Sequence, residues 1–223
     1  MQLIEIACFN VESAITASLA GANRIELCRD KHTDGLTPDI QTLHQVLSEV
    51  AIPVHAMIRP RAGNFVYNEL EFEQMKSEIN LFKNTKVAGF VFGCLNQDHS
   101  VNLIQNKVLI ELAYPKPCTF HKAFDVCADL NKSLQEIIAL GFNTVLTSGG
   151  ANTALAGAYV LQELQKISLG KINILVGGSV RSHNLQNIKA ICGLNQYHSS
   201  AITDGGEQSN ALEIETLIKV VMA

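Results

Sequence analysis

The sequence predicts an α/β fold made of one domain, a closed (β/α)8 or TIM barrel spanning residues 1–223. Three observations predict it. Short apolar runs of strand type alternate with helix-type segments from one end of the chain to the other. Eight such pairs divide the chain into units of about 28 residues, which suits a compact barrel, whereas an open doubly wound sheet usually stops near about six strands. No low-complexity linker or shift in composition interrupts the series.

The elements follow in order. Residues 3–8 form the first strand, and the helix at 11–21 is closed by Gly21. Residues 24–28 are the second strand. Thr37 and Pro38 supply helix-entry chemistry for the helix at 40–50. The third pair is 54–58 with 70–82, and the fourth is 89–92 with the amphipathic stretch 101–112. Residues 119–123 precede a helix at 133–140 that ends at Gly141. The last three pairs are 144–147 with 153–167, 172–176 with 182–191, and 196–199 with 214–222.

Composition excludes several classes. Hydrophobic residues make up 47% and charged residues 17%, so the chain buries a core and is not disordered. A formal charge of -4 gives no broad footprint for nucleic acid or a membrane surface. No apolar run approaches the ~18 residues of a membrane helix. The start, MQLIEIACFN, has neither basic region nor cleavage site, and the expected location is the cytoplasm. Cys8, Cys28, Cys94, Cys118, Cys127 and Cys192 are scattered without a C-x-x-C pair, which reads as small buried hydrophobes, not as a disulfide framework. The expected partners are a small anionic ligand and further copies of the chain in a homo-oligomer.

Side chains on a barrel strand alternate between the interior and the helix-facing side. Glu5 shares a side with Leu3 and Ala7, while Cys8 points the other way. Arg24, Glu26 and Cys28 share a side, as do His55, Met57 and Arg59, and Thr119 and His121. The interior thus receives Glu5, Glu26, His55, His121 and Arg59, and Arg59-Pro60-Arg61 stands at the carboxyl end of its strand, where barrels bind ligands. Each member also has a plainer role: Glu26 can pair with Arg24 or Arg59 and plug the barrel, and either histidine can be a core residue. As a set they predict one solvent-reachable cavity, because each unpaired buried charge costs several kcal/mol.

The turns after later strands carry Thr147, Ser148 and Gly149, then Gly177 and Gly178, then His198 and Ser199. Glycines there let backbone N–H groups approach an anion, or simply serve a tight turn. His121 is a candidate proton-transfer group with Glu26, and Asp125 either orients it or caps the next turn.

Five segments, NRIELC (23–28), GLTPD (35–39), IPVHAMIRPRAGNFVY (52–67), TFHKAFD (119–125) and VLTSG (145–149), resemble the CutC copper homeostasis proteins. The resemblance implies a TIM barrel, a cytoplasmic setting and Cu(I) binding. It implies Cys28 as a copper ligand, but the family's other cysteine position is Ala7 here. A Cys8–Cys28 site requires the first strand to end or bulge at Ala7. Lys122 replaces the family's arginine, and the stretch 203–210 is shorter than in many relatives. Two functions follow: a Cu(I)-binding protein of copper homeostasis, or a barrel enzyme acting on a small anionic or phosphorylated metabolite. In the second, Arg59 and Arg61 hold the anion while His121 and Glu26 move protons.

Overall fold

In the computed structural model, which describes residues 2–223, eight parallel strands close into a barrel in chain order. The strands are β1 (Leu3–Cys8), β2 (Arg24–Leu27), β3 (Val54–Met57), β4 (Gly89–Phe92), β5 (Cys118–Phe120), β6 (Thr144–Thr147), β7 (Asn173–Val176) and β8 (Gln196–Ser199). Around them run α1 (Val11–Leu19), α2 (Ile40–Glu49), α3 (Glu69–Lys83), α4 (Leu103–Ala113), α5 (Leu130–Leu140), α6 (Ala158–Ser168), α7 (Ser182–Cys192) and α8 (Ala211–Met222). No helix among the described residues is long and apolar enough to cross a membrane.

Strand alternation builds two cores. Ile4, Ile6 and Cys8 of β1, Ile25 and Leu27 of β2, and Phe90 and Phe92 of β4 join helix side chains in the outer layer. Residues of opposite parity face inward, where Cys28, Met57 and Val91 form a small cluster with Phe9 against it. Asn10, Asp39, Asn102, Asp129 and Asn210 cap α1, α2, α4, α5 and α8, each side chain accepting a first-turn N–H. Asn68 and Glu71 form a full capping box on α3.

Two elements differ from the sequence reading for identifiable reasons. β5 stops at Phe120, because the Ala123 N–H donates to His121 Nδ1 at 3.3 Å and starts a 3₁₀ turn at Lys122–Val126. α6 begins at Ala158, not at 153, because the chain first closes on the β6 turn. A Cβ on Gly157 would stand 1.8 Å from the Ser148 carbonyl oxygen, so only glycine fits there.

Candidate functional site

Barrel closure sets the centre of the site. Register places Glu5 beside Arg24 on β2 and beside His198 on β8. Arg24 Nε donates to Glu5 Oε2 at 2.5 Å, and His198 Nδ1 donates to Glu5 Oε1 at 2.7 Å. His198 Nε2 then lies 3.8 Å from Glu26 Oε2, which also accepts the Cys28 thiol proton at 3.4 Å. His55 pairs with Glu26 in register. Three buried polar atoms here have no protein partner: Arg24 Nη2, Glu26 Oε1 and His55 Nδ1.

The electrostatics divide the roles. Burial alone would raise the Glu5 carboxyl, but Arg24 and His198 outweigh it and hold Glu5 far below the usual carboxylate range. Burial raises Glu26, only partly opposed by His198. Burial would lower His198, yet Glu26 and Glu5 outweigh it and hold the imidazole above its ordinary value. His55 is pushed down to about 4 by burial and then by Arg24, so it is neutral. The result is an ionised Glu5 orienting His198 through Nδ1, with Nε2 turned toward Glu26 so that the charge on each of these two groups favours the charged form of the other.

Glycines give the histidine rings their space. A Cβ on Gly89 of β4 would lie 2.6 Å from His55 Nε2, and one on Gly93 would lie 2.9 Å from His121 Nδ1. A Cβ on Gly177 would meet Leu146 Cδ1 at 2.5 Å and His198 at 3.5 Å. Gly177 therefore provides clearance inside the barrel, a role distinct from the anion cradle expected of it. Gly178 ties its turn to the approach to α6, its carbonyl accepting from Ala154 N–H at 2.8 Å.

The interior is more closed than the sequence reading expects. Glu5 is 0%, Glu26 3% and His55 5% exposed, while the side chains of Arg24 and His198 retain 13% each. Arg24 and His198 are the most exposed members of the group. His121 also stands apart from Glu26: it packs on Phe65 at 4.8 Å and on Phe120 at 6.1 Å. Its burial, and then Arg59, push it down to about 3. The structure thus joins Glu26 to His198, and His121 belongs to a second group with Arg59, Phe65 and Tyr67.

Several expected ligand contacts are already used internally. Arg61 donates to Glu71, Ala62, Asn64 and Val66 and lies over the Tyr67 ring at 5.4 Å, so its donors brace its own loop and tie it to the first turn of α3. The turn after β6 does cradle an anion, but that anion is Asp125. Its carboxylate accepts from Thr147 Oγ1 at 2.5 Å, Ser148 N at 2.9 Å, Ser148 Oγ at 2.9 Å and Gly150 N at 3.0 Å. Asp125 is accordingly not the orienter of His121. Gly149 N–H donates to Thr147 Oγ1 at 2.9 Å within the same turn. Ser199 Oγ donates to Val180 O at 2.7 Å and accepts from Arg181, a residue the strand pattern gave no reason to single out. Cys8 packs with Ile4 and Ile6 in the outer layer, whereas Cys28 lies in the inner cluster.

Residues 2–203 match the CutC family. The chain belongs to the CutC family. This CutC chain is 40% identical over 199 residues to the human copper homeostasis protein cutC homolog, covering 89% of the chain and 73% of the human protein. It is 40% identical over 201 residues to the family protein CutC of Proteus mirabilis, covering 90% and 80% respectively. The solved CutC structure from Streptococcus agalactiae superposes with a TM-score of 0.85 at 32% identity, covering 91% of this chain and 100% of that one.

The family's link to copper can be tested against the donors present in this CutC. Among the described residues one group of potential metal ligands converges, Glu5, Glu26 and His198, with ligand atoms within 4.8 Å of one another. These are oxygen and imidazole donors, and Arg24 already neutralises Glu5; Cu(I) prefers soft sulfur. Two soft sulfurs do share the inner cluster, those of Cys28 and Met57.

Proposed function

We propose that this CutC protein serves copper homeostasis in the cytoplasm as a barrel that binds a small polar ligand and moves protons on it. The observation that carries the reading is the Glu5–His198–Glu26 chain. Glu5, ionised by Arg24, fixes the His198 ring through Nδ1. That leaves Nε2 to exchange a proton with a bound ligand, while the buried Glu26 carboxyl supplies or accepts the second. Arg24 Nη2, Glu26 Oε1 and His55 Nδ1, otherwise unpaired, are the groups a polar ligand would satisfy. Purified protein and His198→Asn, each incubated with a cell metabolite extract, test it by untargeted mass spectrometry. The reading expects at least one species consumed by the wild type and spared by the variant; identical profiles would remove it.

A second reading rests on sulfur. Cys28 and Met57 would hold Cu(I) as thiolate and thioether, and Cys8 would take no part from its outer layer. Burial and then Glu26 hold the Cys28 thiol well above its ordinary range, so binding must displace that proton and weakens as pH falls. Anaerobic Cu(I) titration against a competing chelator decides it. Wild-type affinity no greater than that of Cys28→Ser or Met57→Leu would exclude the pair.

A further inference from the structure

Arg59 is a buried cation without a counter-ion. It is 5% exposed, and its guanidinium donates only to neutral carbonyls: Thr33 at 2.6 Å, Gly35 at 3.0 Å and Gly63 at 3.1 Å. Among the described residues no carboxylate lies within ion-pair distance of it, and its Nε–H has no acceptor. The Phe65 ring centroid lies 5.0 Å from it, a cation–π contact that offsets only part of the cost of burying the charge. An uncompensated buried charge costs several kcal/mol.

Its neighbours present further unpaired groups. His121 Nδ1 accepts from the Ala123 N–H, so the neutral ring carries its proton on Nε2, and that atom has no partner. The Tyr67 hydroxyl is likewise unpaired and only 5% of the residue is exposed. Burial raises the phenol, which stays a donor. Gln105 adds one unpaired acceptor, Oε1, while its Nε2 donates to Tyr67 O at 3.2 Å. Phe65 connects the set, touching both Arg59 and His121.

We infer that Arg59, His121 and Tyr67 recognise a carboxylate group on the ligand of this barrel. The charge count selects the class. One guanidinium and two neutral donors balance a monoanion, whereas a phosphate dianion leaves a second buried charge uncompensated. The inference rests on the interior being a ligand site, yet it does not depend on His198 as the proton carrier.

Histidine-labelled full-length protein, titrated with acetate and with inorganic phosphate at constant ionic strength, tests it by NMR. The His121 signals shift saturably with acetate, and phosphate binds more than about tenfold more weakly. Tyr67→Phe weakens acetate about fivefold, and Arg59→Gln abolishes the response. Because Arg59→Gln also loses three loop carbonyls, Tyr67→Phe serves as the variant that leaves the loop intact. An unmoved His121, phosphate binding as tightly as acetate, or an unchanged response in Tyr67→Phe overturns the inference. His198 in the same spectra reports separately on the proton-transfer reading.

Discussion

Replacing Gly89 by alanine tests the packing that shapes the site. The added methyl would stand 2.6, 2.7 and 2.8 Å from Nε2, Cε1 and Cδ2 of His55. Carbon contacts are comfortable near about 3.5 Å, so the ring must retreat by about 1 Å from the β4 backbone. Overpacking of this kind costs about 1–3 kcal/mol, and three ring atoms in conflict place the expectation at the upper end. Gly141→Ala is the control. Gly141 has a φ of 96°, and a methyl added there would meet nothing within 4 Å, so it loses only the backbone preference, about 1 kcal/mol. Urea denaturation of Gly89→Ala, His55→Ala and the double variant gives the coupling, expected at about 1–3 kcal/mol because the smaller residue removes the conflict. A Gly89→Ala cost below about 0.5 kcal/mol, or an equal cost with His55 absent, would refute the reasoning.

Acid sensitivity follows from the two neutral histidines. His55 and His121 titrate at about 4 and about 3 folded, so below the unfolded value of 6.5 the unfolded chain binds more protons and stability falls with pH. Each histidine costs about 2 kcal/mol at pH 5, and His121→Gln should flatten the slope by about 1.2 kcal/mol per pH unit between about pH 5 and 6. Urea midpoints at those two pH values check it, and an unchanged slope contradicts it. Asp125→Asn removes the charge that gathers Thr147, Ser148 and Gly150, with an expected loss of about 3 kcal/mol and faster amide exchange at Ser148 and Gly150. Wild-type stability and exchange in that variant would show the turn to be self-supporting.

Much of the barrel was legible because strand parity is a strong constraint. The bounds of β1, β4, β6 and β8 match the sequence reading, and Glu5, Glu26, His55 and His121 do face away from the outer apolar layer. Pairing across the barrel was less legible, since parity says which side a residue faces but not its angular neighbour. Closure of β8 against β1 brings His198, not His121, to Glu5 and Glu26. Counting strands around a closed ring would have found this. The glycine turns misled for a physical reason: a cradle for an anion looks the same whether it holds a ligand or Asp125. Nor does any pattern reveal that Arg61 spends its donors on loop carbonyls and Glu71. Gly89 and Gly93, by contrast, carried an unread signal, small residues on β4 and just beyond it facing histidines on β3 and at the end of β5.

Nitrogen-resolved titration of His198 addresses the proton-relay chain most directly. With Glu5 ionised beside it, the imidazole should change protonation above 6.5, keep its proton on Nδ1 when neutral, and drop in midpoint in Glu5→Gln. A midpoint at or below 6.5 that ignores the Glu5→Gln change would contradict the account.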